Sequence, residues 1–127
     1  MNPLMVRAQE SAAAARILFN GEFYCGASSC AYFAIYNAAR ALLAEIKTIN
    51  IKNATAHCKV KRLFSLHFVR EGLFDRGFAK RFDRAAKIRI SADYCARKIS
   101  VTEAARLVDS MESFLKNTQL LQGGKHK

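Results

Sequence analysis

The sequence predicts an all-α protein, an antiparallel bundle of about five helices. Of its 127 residues, 51% are hydrophobic, and they recur at the helical intervals of three and four residues. Helix breakers are scarce, because the chain has a single proline, Pro3, and its glycines lie near the ends of the predicted elements. The length suits one domain of about 100–200 residues. We therefore expect a single helical domain over residues 1–127, with a disordered tail over residues 122–127.

Stripes of small apolar residues identify the first two helices. The first is expected over Leu4–Phe19, since Asn20-Gly21 is a helix-stop signal. The second is expected over Ala27–Lys47, and its alanines would let another helix approach closely. This alanine face also predicts a homodimer, because a small domain should not leave it in water. The face comprises Ala27, Ala31, Ala34, Ala38 and Ala41.

The remaining helices are identified by their caps and apolar spacing. The third is expected from Thr55, as N-cap, to Gly72, and the fourth over Phe78–Tyr94. Ser100 and Glu103 form a capping-box pattern that starts the fifth. Tyr32 and Tyr36 share one face of the second helix. Core packing is their expected role, with a dimer face as the alternative.

The charge is strongly positive and unevenly spread. The chain has 21 basic and 10 acidic residues, a net charge of +11. The segment from Lys59 to Lys98 alone carries 12 basic and 4 acidic residues, so the third and fourth helices hold most of the excess. Such a surface attracts polyanions, which favours a nucleic acid or an acidic protein as partner, with mere solubility as the alternative.

The cysteines predict neither a metal site nor a cofactor. Cys25, Cys30, Cys58 and Cys95 show no CxxC pair and no zinc-ligand spacing, so we interpret them as reduced core residues. The segment Met1–Glu10 has no apolar stretch typical of a signal peptide, and the uncharged stretch Cys25–Ala39 is too short to cross a membrane. A cytoplasmic protein without a membrane partner is expected.

Five segments follow one another in order: YFAIYNAARALL (Tyr32–Leu43), His57 after a polar loop, LFSLHFVREG (Leu63–Gly72), RISADY (Arg89–Tyr94) and ISVTEAA (Ile99–Ala105). Together they resemble the HEPN domain family, in particular its small single-domain members. The resemblance spans nearly the whole chain. It implies a helical bundle, a homodimer and a role in RNA binding or cleavage, often as the toxin partner of a small nucleotidyltransferase antitoxin.

Arg89, Asp93 and Tyr94 are the main candidate site residues, with His57 contributing. RNA cleavage without a metal needs a base for the 2′-hydroxyl and a cation for the phosphorane, and His with Arg is the natural pair. HEPN ribonucleases place a histidine five to seven residues after the arginine. Here the residue five positions after Arg89 is Tyr94, and a phenol is a poor base near neutral pH. His57 is the imidazole that we expect to take its place.

The literal Arg-x4-His of this chain, Arg62 to His67, lies in the third helix, where an offset of five turns the two side chains apart. We expect His67 to pack between helices rather than to catalyse. Arg40, in the least charged helix, should pair with a carboxylate such as Asp93 or Glu45, or line a polar groove.

The predicted nucleic-acid contacts are Arg40, Lys80, Arg84 and Lys87. Three functions stay open at this point. The chain could be an RNA-binding HEPN toxin that cleaves RNA, a non-catalytic RNA- or nucleotide-binding partner of a nucleotidyltransferase, or a structural adaptor in which Arg89, Asp93 and Tyr94 tie helices together.

Overall fold

The computed structural model describes residues 2–94 and 97–124, and these residues form helices and no strand. A 3₁₀ turn at Ile51–Asn53 precedes the third α-helix, and a π-helical turn at Ser65–Val69 extends it. The predicted all-α fold class is confirmed. The α-helices are α1 (Pro3–Asn20), α2 (Tyr24–Ala44), α3 (His57–Phe64), α4 (Phe78–Tyr94) and α5 (Val101–Gly124).

The central helix of the bundle is α2, which contacts each of the other four α-helices. It packs most extensively with α1, whose Ala8, Ala12 and Ala15 are fully buried. The predicted alanine face of α2 is also fully buried, with every alanine at 0% exposure within the single chain. That face therefore cannot bind a second copy, and our argument from it for a homodimer is wrong.

In the part of the chain that the structure describes, seven of the large hydrophobic residues buried in the core are aromatic. The ring of Phe64 in α3 lies 4.4 Å from that of Phe78 and 5.4 Å from that of Phe114, measured between centroids. Phe78 in turn stacks on Phe82, 5.2 Å away. Phe82 is 1% exposed and carries the aromatic packing on toward α2 and the start of α3. This packing fixes the position of α4 relative to both helices.

Helix ends agree with the sequence where local signals set them. The range predicted for α4 is the observed one, and the capping box of α5 is confirmed. The amide of Glu103 donates to Ser100 Oγ at 3.1 Å, and the amide of Ser100 donates to Glu103 Oε1 at 3.2 Å. Gly72 has φ +76° at the end of the third helical segment, a conformation that glycine adopts without strain. The helix α5 extends to Gly124, past the expected start of the tail, and residues 125–127 lie outside the described residues.

Other ends differ. The N-cap of α3 is Ala56, so the prediction of Thr55 as N-cap is wrong. The helix α2 lies three residues closer to the N-terminus than predicted, because a tight turn follows Ala44. In that turn the amides of Glu45 and Ile46 donate to the carbonyls of Leu42 and Leu43.

The cysteines also depart from expectation. Cys25 and Cys58 are free and exposed, so the core interpretation is wrong for both, while Cys30 is free and partly buried. Cys95 lies outside the described residues. None of the helices in the described ranges combines the length and the apolar character that crossing a membrane requires.

Candidate functional site

Arg89 lies on the side of α4 that faces α2, and aromatic rings surround its guanidinium. Its Cζ is 5.3 Å from the ring centroid of Tyr32, 5.2 Å from that of Phe33 and 5.9 Å from that of Tyr94. A cation over a ring face is attracted by the ring quadrupole, by about 0.5–2 kcal/mol per pair. Three rings therefore help to hold a charged group on an otherwise apolar helix face.

Asp93 provides the charged contact to Arg89. Its Oδ2 lies 3.7 Å from Arg89 Nη1, so the i,i+4 pair expected from the sequence is present. Ser29 of α2 donates its hydroxyl to the same oxygen at 3.1 Å. The Nε of Arg89 is buried and has no hydrogen-bond partner among the described residues. A buried donor without an acceptor costs free energy, so Arg89 is held mainly by its rings and by Asp93.

His57, at the start of α3, has hydrogen bonds at both ring nitrogens. Its Nε2 lies 2.9 Å from Asp83 Oδ1, and its Nδ1 lies 2.9 Å from the hydroxyl of Tyr32. The ring stacks on Phe82 with 4.2 Å between centroids. Lys61 donates to both oxygens of Asp83, at 3.2 and 3.1 Å. The imidazole is therefore engaged within the chain, and it could act as a base only after one of these bonds breaks.

Two pKa shifts accompany these hydrogen bonds. The hydrogen bond from His57, helped by Lys61, lowers the pKa of Asp83, so the carboxylate is charged and accepts from Nε2. Burial raises the pKa of Tyr32 to about 12. The phenol therefore keeps its proton at neutral pH, and the tautomer of His57 decides whether Tyr32 or Nδ1 donates in their hydrogen bond. The resulting chain runs from Tyr32 through His57 to Asp83.

The structure places Tyr32 between the two parts of the predicted site. The ring of Tyr32 contacts the guanidinium of Arg89, and its hydroxyl is hydrogen-bonded to His57. No contact joins Arg89 directly to His57 among the described residues. Tyr32 is 3% exposed, so its expected core position is confirmed, yet its link between Arg89 and His57 was missed. A signal was present, because a buried tyrosine usually directs its hydroxyl to a polar partner.

A second feature lies on the opposite flank of α4. A groove of about 310 Å³ runs between α4 and α5, and its walls carry Arg84 and Lys87 from α4 and Arg106 from α5. Within the described residues, none of these three cations has an ion pair. Arg84 and Lys87 were predicted from the sequence. Arg106 was missed, because it lies outside the basic segment and only the fold brings it opposite them. Lys80 is exposed on α4 but does not line the groove.

Comparison with known proteins agrees with this architecture. The HEPN domain family matches residues 1–121. The chain belongs to the HEPN domain family. It is 34% identical over 108 residues to “Putative toxin MJ0605” of Methanocaldococcus jannaschii, covering 85% of this chain and 78% of that protein. It is also 31% identical over 120 residues to “Putative toxin MJ0142” of the same organism, covering 94% of this chain and 79% of that protein.

This HEPN chain departs from the arginine and histidine pattern of the ribonucleases that it resembles. Tyr94 occupies the position five residues after Arg89, and it is 74% exposed. Its ring contacts the guanidinium of Arg89, so it can stack or donate a hydrogen bond. His57, the imidazole that we expected in its place, is bound to Tyr32 and Asp83 instead. The described residues thus bring a cation, a carboxylate and a phenol together without a free imidazole beside them.

Arg40 is partly buried in the HEPN bundle, and its partners are not the carboxylates that we expected. Its Nε donates to the carbonyl of Ala54 at 2.9 Å, and its Nη2 donates to that of Ile51 at 3.3 Å. Its Cζ also lies 5.5 Å from the centroid of the Tyr36 ring. Arg40 therefore closes the loop before α3 onto α2. Arg40 has no ion pair with Asp93 or Glu45 among the described residues, so that expected pairing is wrong. Its predicted role toward nucleic acid stays a prediction.

His67 lies in the π-helical turn and is partly buried. The neighbouring Phe64 and Phe68 are buried and stacked on each other at 4.8 Å, so its surroundings are those of a packing histidine. Among the residues that the structure describes, no three histidine, cysteine or acidic side chains gather in a group that could hold a metal ion.

Proposed function

We propose that this HEPN protein is an RNA-binding toxin that holds single-stranded RNA in the groove between α4 and α5. The groove carries the proposal: it presents Arg84, Lys87 and Arg106, which have no ion pairs among the described residues, in a chain with a net charge of +11. Cations that the fold leaves unpaired are available to phosphate oxygens. The toxin role is supported by the names of the two relatives.

The proposal is tested by titrating a fluorescent single-stranded RNA at several salt concentrations. Because phosphate contacts release counterions, affinity should fall with a logarithmic slope of about −0.7 per contact. Reversing Arg84, Lys87 and Arg106 together to glutamate should remove most of the binding. The matched control reverses three exposed cations outside the groove, Arg7, Lys47 and Lys52, and should retain more of it. Equal losses in both triple variants would contradict a specific groove.

RNA cleavage is the finer form of this proposal, and Arg89 is the observation that favours it. A guanidinium fixed by three rings and Asp93 could stabilise the charge of a phosphorane. The base would have to be His57, released from Tyr32. If the protein cleaves RNA, Arg89→Ala should reduce the rate by about 100-fold or more, and His57→Ala should also be severe.

The second candidate is RNA binding without cleavage, as a partner of a nucleotidyltransferase antitoxin. The hydrogen bonds at both nitrogens of His57 favour it, because they leave the site without a free base. The purified protein, free of any antitoxin, should then leave RNA intact with or without divalent metal while still binding it. Cleavage that disappears in Arg89→Ala would reject this candidate. Cleavage that persists in both Arg89→Ala and His57→Ala would reject the catalytic site proposed above.

A homodimer belongs to the proposal, but on a different face from the one first predicted. Phe33, Ile90 and Tyr94 are exposed apolar residues near Arg89, at 36%, 45% and 74% exposure. A second copy on this face would bring two Arg89 side chains toward each other. Light scattering should return about twice the chain mass of 14.2 kDa, and Ile90→Lys should halve it. A monomer at micromolar concentration would contradict the dimer.

A further inference from the structure

A second compartment adjoins the cationic groove between α4 and α5. It has a volume of about 280 Å³, and its apolar floor includes Phe78 and Phe114, which are both buried. Arg81 and Ser110 line both compartments, so the two are continuous. One continuous channel therefore has a cationic part and an aromatic part.

The rim of the aromatic compartment carries an available carboxylate. Asp75 on this rim is occupied, because it accepts from Arg81 at 2.9 Å and from the amide of Gly77 at 2.7 Å. Asp109 is exposed and has no ion pair or hydrogen bond among the described residues. Ser113, four residues further along α5, lines the same compartment. A carboxylate and a hydroxyl one helical turn apart thus border an apolar floor.

We infer that this compartment binds a guanine base of the RNA strand whose phosphates lie on Arg84, Lys87 and Arg106. The inference rests on the proposed RNA binding and names the base that the same channel selects. Single-stranded RNA is read through unstacked bases that lie against aromatic or other planar groups and are hydrogen-bonded along their edges. The channel offers both kinds of contact next to its phosphate-binding cations.

The carboxylate determines which base fits. Guanine presents two adjacent N–H donors, N1–H and the N2 amino group, and a carboxylate accepts both. Adenine and cytosine present a ring-nitrogen acceptor beside their amino group, and uracil has a single N–H between two carbonyls. Each of these three would direct an acceptor toward Asp109. The hydroxyl of Ser113 can donate to guanine O6, so that O6, N1–H and the N2 amino group would all have hydrogen-bond partners.

The spacing along α5 is consistent with one nucleotide. Arg106 and Ser113 are separated by seven residues, which correspond to about 10 Å along the helix axis. A nucleotide extends over a similar length from its phosphate to the far edge of its base. The order of side chains on α5 is therefore cation, carboxylate, hydroxyl, in the sequence Arg106, Asp109, Ser113.

The test compares short uridine oligomers that carry one guanosine, adenosine or cytidine at the centre, titrated against the full chain. The guanosine oligomer should bind about tenfold more tightly than the others, the discrimination expected of one bidentate contact. Asp109→Asn should remove this preference, because an amide cannot accept two adjacent donors. Glu10→Gln is the matched control: it removes one exposed negative charge on α1 that has no ion pair within residues 2–94 and 97–124, and it should retain the preference.

The outcomes separate the inference from the proposed function. Salt-dependent binding of all oligomers with equal affinity, or a guanosine preference that survives Asp109→Asn, would overturn the guanine site and leave RNA binding standing. Absence of binding by every oligomer would overturn both. A preference lost in Asp109→Asn and kept in Glu10→Gln supports the site. Amide shifts at Ser110 and Ser113 on addition of 5′-guanosine monophosphate would locate it.

Discussion

The two flanks of α4 differ in how they use polar side chains. On the flank toward α2 and α3, Arg89, His57 and Asp83 all have partners inside the fold, and Tyr32 joins them. On the flank toward α5, Arg84, Lys87 and Arg106 have none among the described residues. A charge with an internal partner contributes to the fold, whereas one without a partner is available to a ligand. One flank of α4 therefore carries a network that stabilises the bundle, and the other carries the groove proposed to bind RNA.

The largest expected effect tests the internal network at its centre. Tyr32→Ala should lower the free energy of unfolding by about 3–5 kcal/mol, because it removes a buried aromatic ring that stacks on Phe82. Tyr94→Ala, which removes an exposed phenol from α4, is the control and should change stability by less than about 1 kcal/mol. Urea denaturation measures both. Similar losses of unfolding free energy in both variants would show that the exposed tyrosine stabilises the fold as much as the buried one, which would contradict a network centred on Tyr32.

The next effect concerns His57. His57→Ala should cost about 2 kcal/mol of stability, since it leaves the hydroxyl of Tyr32 without its partner and removes one of the two donors to Asp83 Oδ1. RNA affinity, measured on the folded variant, should stay close to that of the unaltered protein. His67→Ala serves as the control and should cost less. A His57→Ala variant that keeps its stability but loses RNA affinity would show that His57 contributes to RNA binding rather than to the internal network.

A smaller effect separates paired from unpaired cations within the groove. Arg84→Ala should weaken RNA binding several-fold and reduce the salt slope by about 0.7, while stability changes by less than about 0.5 kcal/mol. Arg81→Ala is the matched control, because Asp75 already holds that guanidinium at 2.9 Å. Its loss of affinity should be smaller. A larger loss of affinity in Arg81→Ala than in Arg84→Ala would show that internal ion pairing does not decide which cations contact RNA.

The smallest effect is a dependence on pH. The hydrogen bond from Arg97, aided by the amide of Ser100, lowers the pKa of Glu103 to about 2. A carboxyl with a lowered folded pKa stabilises the fold above its unfolded pKa of about 4.5, and this contribution is lost as pH falls toward 2. Glu103→Gln should flatten the decline of stability over that window, measured by urea denaturation. In Glu10→Gln the decline should persist, and a flattening there would contradict the assignment.

The sequence predicted what neighbouring residues determine. The range of α4, the capping box of Ser100 and Glu103, the alanine stripe of α2 and the pair of Arg89 with Asp93 all depend on residues within four or five positions of one another. Helical periodicity and caps encode such contacts directly. The HEPN resemblance agrees with the family found over residues 1–121.

Tertiary structure decided which distant side chains contact one another. Tyr32 and His57 are 25 residues apart, His57 and Asp83 are 26 apart, and no local pattern records either contact. Arg106 lines the same groove as Arg84 and Lys87 only because α5 packs beside α4, and the alanine face of α2 is buried within the single chain. A helical pattern specifies which side of each helix is buried, but many arrangements bury the same sides. The packing of the aromatic core selects one of them, and that selection determined that His57 is bound inside the fold while three cations face a groove.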